Sequence, residues 1–289
     1  MGFLDYDWCG LNWSRWVKFE SSNRNFKRIP DRQGLYHIKP VDRNILSYIG
    51  ETTELKTRLR TLCLKILEPE MPFNDPHTAA PGHWAWKDAE NMEFECSYVP
   101  NPYMNRADQR GLECYLLWQY RLETGESTLL NHGRFHPNYI KSGNRSSNRR
   151  GGRIQGNNVN PSSGPSHPPL IIHSKPIDKD WMRLEWSDME QLSSENARKV
   201  PASYGLYKLI DTDIEDVVYI GQSRYFNARL YTHSQKLIDE SRMAFSYYKF
   251  ENPIPQHQLL EMENDLIGAY YSENKKSPRY QFLNITSFE

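Results

Sequence analysis

Residues 29–50 read IPDRQGLYHIKPVDRNILSYIG, and residues 200–221 read VPASYGLYKLIDTDIEDVVYIG. Pro30 precedes Gly34 by four positions, as Pro201 precedes Gly205. Gly34-Leu35-Tyr36 matches Gly205-Leu206-Tyr207. Twelve residues past each of those tyrosines, Tyr48-Ile49-Gly50 matches Tyr219-Ile220-Gly221. In each string two short apolar runs flank a polar tip, at 40–44 and 211–216, which is the pattern of a β-hairpin. The glycine that closes each second tripeptide suggests a sharp turn into the next element.

The match extends outward in both directions. Ten residues past the second tyrosines stand Arg58 and Arg229. Upstream, Leu11-Asn12-Trp13-Ser14 pairs with Leu184-Glu185-Trp186-Ser187. Downstream, Glu113-Cys114-Tyr115-Leu116-Leu117 pairs with Glu263-Asn264-Asp265-Leu266-Ile267. Each half ends near an asparagine after a hydrophobic pair, Leu129-Leu130-Asn131 and Phe282-Leu283-Asn284. The same features in the same order point to an internal duplication.

Periodicity supplies the elements of one repeat. Leu55, Leu59, Leu62 and Ile66 form one apolar helical stripe, repeated by Phe226, Leu230, His233 and Leu237. A third strand is predicted at 93–99 and again at 244–250. A second helix carries Glu113, Leu117 and Tyr120, and its partner carries Glu263, Ile267 and Tyr270. At that spacing each glutamate borders the core side of its helix.

These readings divide the 289 residues into a first domain over 1–131, a linker over 132–169 and a second domain over 170–289. The linker is rich in Gly, Asn, Ser and Pro and is expected to be disordered, because so few apolar residues cannot offset the entropy of ordering. The first domain has an insert near 69–88 containing His77, His83, Trp84 and Trp86. The insert reads either as a DNA-reading loop or as a surface cover held by its tryptophans.

Net charge is zero, which removes any global polycation as a signature of a nucleic-acid partner. The distribution is uneven. From Ser127 to Pro176 there is no acidic residue, while Arg134, Lys141, Arg145, Arg149, Arg150, Arg153 and Lys175 give +7. Arg145, Arg149, Arg150 and Arg153 are therefore candidate phosphate contacts. The four cysteines lack C-x-x-C spacing, which argues against a structural zinc site and suits a reducing compartment. No apolar run approaches the roughly 18 residues of a membrane span. The N-terminus shows no signal-peptide pattern. The expectation is a cytoplasmic protein without a membrane partner.

Taken together, the ordered motifs resemble the GIY-YIG nuclease family, over about residues 25–135 and again over 195–289. Leucine replaces isoleucine in each first tripeptide. The resemblance implies an α+β fold, with each repeat a small three-stranded antiparallel sheet flanked by helices. It implies hydrolysis of a nucleic-acid phosphodiester with one divalent metal per site, Mg²⁺ or Mn²⁺. It further implies that Glu113 and Glu263 hold the metal, that Arg58 and Arg229 contact the scissile phosphate, and that Tyr36, Tyr48, Tyr207 and Tyr219 line the two sites. Asn131 and Asn284 would support them.

The chemistry needs these residue types. A carboxylate-held hard cation and an arginine fork both offset the charge that builds up at phosphorus. A tyrosine, with an ordinary pKa of about 10, could deprotonate the attacking water only beside cations. His233, one turn past Arg229, reads either as a core-edge residue or as the base of the second site. The Arg-x-x-x-His pairing occurs in part of the family, where the histidine assists proton transfer. Its first-repeat counterpart is Leu62, which leaves that repeat without an evident proton acceptor. Some relatives carry a lysine soon after the second tripeptide, but here Glu51 and Gln222 occupy those positions.

The expectation is a Mg²⁺-dependent endodeoxyribonuclease acting on duplex DNA in restriction or anti-phage defence. It would carry one active site per repeat, and so could cut both strands as a monomer. Two alternatives stand beside it. In one, a single repeat cuts and the other only binds DNA. In the other, the chain is a non-catalytic nucleic-acid-binding protein that retains the scaffold.

Overall fold

The structure is a computed structural model and describes residues 2–20, 25–101, 103–236 and 242–283. Its chain forms two compact units. One comprises 1–105 with 119–166, and the other 106–118 with 167–289. Both are α+β with antiparallel sheets.

The first unit contains β1 (Val17–Lys18), β2 (Gly34–Pro40), β3 (Tyr48–Thr52), α1 (Leu55–Ile66), α2 (Ala80–Glu90) and β4 (Phe94–Pro100). Its sheet runs β1-β4-β2-β3. In the second unit are β7 (Glu190–Gln191), α4 (Ser194–Lys199), β8 (Gly205–Asp211), β9 (Asp216–Ser223), α5 (Phe226–Lys236), β10 (Met243–Lys249) and α6 (Gln256–Asn274). That sheet runs β7-β10-β8-β9, the same order. Each sheet thus has four strands where three were expected. The extra strand is a two-residue edge pairing outside β4 or β10, too short to leave a period in the sequence.

The central strand is buried along its whole length in both units, so each of its faces meets a separate set of residues. Tyr36 and Ile38 join Leu55, Leu59, Leu62 and Ile66 of α1. Tyr207 and Leu209 join Phe226 and Leu230 of α5, while Leu206 packs with Met262 and Leu266 of α6. Each leucine of the α1 stripe is fully buried, a contribution on the order of 1.5–3 kcal/mol per side chain. The predicted stripe and its helix coincide. Leu237 of the second stripe lies outside the described residues.

The correspondence between the two halves reaches atomic detail ahead of each sheet. Trp8 and Trp181 open 3-10 turns whose next residue is left-handed, Cys9 at φ 55° and Met182 at φ 58°. The Trp13 indole N–H donates to the Trp8 carbonyl, and that of Trp186 donates to Trp181. Ser14 Oγ accepts from the Tyr98 amide, and Ser187 Oγ accepts from the Tyr247 amide.

Two expectations need correction. The stretch 132–169 is ordered and belongs, up to Ser166, to the first unit. It forms the ladder β5 (Tyr139–Ile140) with β6 (Gly152–Arg153). Phe135 and Tyr139 are buried against Met71 and Ala85, and Tyr139 Oη donates to the Asp88 carboxylate. The apolar partners come from the insert, so the composition of 132–169 alone understated what it could bury. The insert itself forms α2 beside α1, with the Trp84 indole N–H donating to the Glu68 carbonyl and His83 bonded to Ser47 Oγ. Its surface-cover reading fits this packing.

The other correction concerns α3 (Arg106–Thr124), the helix carrying Glu113. Its portion 106–118 packs within the second unit, and only its last part belongs to the first. Within the second unit α6 approaches it closely. A side chain at Gly268 would come within 2.8 Å of the Cys114 carbonyl, and that carbonyl accepts from Asn264 Nδ2 at 3.1 Å. The domain boundary is therefore set by helix packing rather than by chain order. Among the described residues no helix is long and apolar enough to cross a membrane.

Candidate active site

In the second unit the expected residues converge. Tyr207 sits mid-strand on β8, opposite Gly221 of β9 and Tyr247 of β10. A Cβ on Gly221 would lie 2.6 Å from the Tyr207 hydroxyl and 2.8 Å from the Tyr219 ring. Gly50 stands the same way, 2.7 Å from the Tyr36 hydroxyl and 2.6 Å from the Tyr48 ring. These glycines therefore continue a strand and make room for two phenols. The turn expected at them is absent, since β3 and β9 run on to Thr52 and Ser223.

The Tyr207 and Tyr219 rings stack with centroids 5.9 Å apart. His233 lies 5.6 Å from the first ring and 5.0 Å from the second, and its Nε2 is 3.1 Å from Tyr207 Oη. Arg229, one turn earlier on α5, hydrogen-bonds both phenols. On α6, Glu263 accepts from the Gln222 backbone N–H through Oε1 at 3.2 Å. Gln222 follows Gly221 directly, so the second tripeptide hands its next amide to the carboxylate.

Burial sets the protonation of this cluster. It raises Glu263 to about 7, against the opposing effects of the Gln222 amide and Arg229. It also pushes Tyr207 well above the usual phenol range, with Tyr219 adding to the rise and Arg229 opposing it. Tyr219 is raised for the same first reason, with Glu263 adding to it. At both phenols desolvation outweighs the opposing guanidinium.

The first unit brings together Tyr36, Tyr48 and Arg58. The two rings lie 6.0 Å apart, and Arg58 Nε donates to Tyr36 Oη at 3.1 Å. Arg58 also reaches into the insert. Its Nη1 contacts His77 Nδ1 and donates to the Pro76 carbonyl at 3.3 Å. Leu62, the counterpart of His233, is buried in the core. Glu113 lies on the part of α3 that packs within the second unit.

Asn131 bonds both backbone groups of Ile49. Its Oδ1 accepts from the Ile49 N–H at 2.9 Å, and its Nδ2 donates to the Ile49 carbonyl at 2.8 Å. The same double bond to Ile220 is made by Gln281, at 2.9 and 3.1 Å. Asn284, the expected partner of Asn131, lies outside the described residues. A Gln three positions earlier was not read because a longer amide reaching from another backbone position leaves no fixed spacing.

Of the four candidate DNA-binding arginines, Arg145, Arg149 and Arg150 lie on the exposed loop between β5 and β6, and Arg153 ends β6. Arg145 and Arg150 lie over the ring of Phe73, 5.6 and 4.6 Å from its centroid, and Arg150 pairs with Glu70 at 3.4 Å. They are thus anchored to the same insert that supplies His77 to Arg58.

Among the described residues no group of three or more His, Cys, Asp and Glu is arranged to hold a metal. The donor set at Glu263 is a single carboxylate. It fits a hard cation that keeps much of its water and shares phosphate oxygens, and it does not fit an all-protein cage. No protein-family model matches this chain, and no curated protein matches it.

Proposed function

We propose that this chain is a divalent-cation-dependent endodeoxyribonuclease of the GIY-YIG type, using Mg²⁺ or Mn²⁺ to hydrolyse phosphodiester bonds of duplex DNA in a restriction or anti-phage setting. The observation that carries the reading is the convergence of Tyr207, Tyr219, Arg229, His233 and Glu263 in one cluster of the second unit. A carboxylate beside a guanidinium, lined by phenols and an imidazole, suits a bound phosphate diester and a cation together.

In this reading Arg229 holds the phosphate, and Glu263 would hold the cation, which supplies charge neutralisation at the leaving oxygen. His233 Nε2 is the proton acceptor. Tyr207 passes its hydroxyl proton to Nε2 as it takes one from the attacking water, so the phenol stays neutral throughout. The 3.1 Å contact between Tyr207 Oη and His233 Nε2 supports such a relay. The exposed arginines between β5 and β6 would track the DNA backbone.

A division of labour, with the second repeat cutting and the first binding, is favoured by one observation: His233 meets Tyr207 from α5, whereas its first-repeat counterpart is the buried Leu62. Plasmid assays separate the readings. If Glu113→Gln and Glu263→Gln each still nick and only the double variant is dead, both repeats cut. If Glu263→Gln alone abolishes all cutting, labour is divided. A wild-type chain that leaves every DNA and RNA intact with Mg²⁺ or Mn²⁺ is a binder that keeps the scaffold.

A further inference from the structure

The two repeats place an imidazole beside the arginine–tyrosine pair by different routes. In the second, His233 comes from α5 itself and meets Tyr207. In the first, the equivalent helix position is the buried Leu62, yet an imidazole is still present. His77, buried within the insert, meets Arg58 through Nδ1. Pro76, its neighbour, offers Arg58 a carbonyl at 3.3 Å, and Tyr36 Oη accepts from Nε on the other side at 3.1 Å. A guanidinium only donates, so the nitrogen facing it must be an acceptor, and the imidazole proton then resides on Nε2.

We infer that His77 is the positioning residue of the first repeat: the insert presents the neutral Nε2–H imidazole, whose Nδ1 fixes the Arg58 guanidinium against Tyr36 for contact with a phosphate. The inference rests on the nuclease reading for its consequence and on the geometry of the first unit for its substance. It assigns the insert a part in the chemistry beyond covering α1. It also gives His77 a role different from that of His233, because a nitrogen occupied by a guanidinium cannot take a proton from water. Burial and the cations Arg58 and Lys65 all lower the His77 pKa, to about 4, in keeping with a neutral ring. Lys65 is itself paired with Glu68.

Two measurements on the full chain test this. In the first, ¹⁵N-histidine spectra are recorded at neutral pH, with the His77 signal identified by its loss in His77→Asn. The expected result is an unprotonated Nδ1, with a titration that moves upward in Arg58→Leu. A protonated Nδ1, or a titration unmoved by the loss of Arg58, overturns the inference. In the second, single-strand nicking is followed in the Glu263→Gln background. Asn carries its acceptor oxygen near the place of Nδ1, and Gln carries its own near Nε2. His77→Asn should keep kcat close to that of the parent, while His77→Gln and His77→Leu lose about 10²-fold, the usual cost of a misplaced catalytic group. Equal losses in Asn and Leu overturn the positioning role. If the Glu263→Gln parent does not nick at all, the two-site reading fails there, and the spectra still decide the state of His77.

Discussion

Gln281 holds both backbone groups of Ile220, accepting from its N–H and donating to its carbonyl, as Asn131 does for Ile49. Each amide thereby clamps the residue between the tyrosine and glycine of a second tripeptide. All four side chains are buried. Replacing either amide by alanine leaves a buried donor and acceptor without partners, at a cost of about 1–3 kcal/mol. Chemical denaturation of Gln281→Ala and Asn131→Ala should show destabilisation in that range. A loss near zero in both would mean that the clamps are replaceable by water.

Glu263 should make the protein sensitive to pH. Burial raises its carboxyl to about 7 from an ordinary 4.5. Between those values the folded chain holds a proton that the unfolded chain has released, so this group makes stability fall as pH rises through the window. Glu263→Gln stays neutral and removes that slope. The variant should gain on the wild type as pH rises from 4.5 to 7 and hold the gain above it. A divalent cation competes with the same proton, so its binding should weaken by up to about tenfold per unit below pH 7. Calorimetric titration reads both the affinity and the proton released, and a pH-independent affinity would place the cation elsewhere.

His233 and Tyr207 should act as one unit. His233→Ala removes the proposed acceptor and should lower the cleavage rate at the second site by about 10²–10⁴-fold. Tyr207→Phe breaks the relay at its other end and should lower it comparably. The double variant should be little worse than either single, because the two groups serve one proton transfer. Additive losses in single-turnover cleavage would assign them separate tasks.

The arginines between β5 and β6 should set affinity without setting sequence preference. Arg149, Arg150 and Arg153 are exposed. Changing all three to Gln should flatten the dependence of log K on log salt by up to about 0.9 for each phosphate left without its arginine. The ratio of affinities for different duplexes should stay constant. Fluorescence anisotropy over a salt series checks this, and an unchanged slope would remove the segment from the DNA path.

Much of this protein was legible because its determinants are local and repeated. The apolar stripe 55-59-62-66 specifies α1, since a 3.6-residue period leaves no other way to bury four side chains together. The paired tripeptides specify two hairpins and bring each tyrosine pair together, because strand pairing fixes which residues face one another. Arg229 and His233, a turn apart, necessarily share a face. What remained hidden depends on residues far apart in the chain. Nothing in the composition of 132–169 reveals that Tyr139 finds Met71 and Ala85. No spacing reveals that Gln281 does for Ile220 what Asn131 does for Ile49, or that His77 meets Arg58. Burial also decides which groups are charged. The sequence could place phenols near a guanidinium, but only the packed protein reveals that desolvation outweighs it at Tyr207 and Tyr219. Local periodicity is an intrinsic property of a segment, whereas burial and long-range pairing exist only once the segments have met.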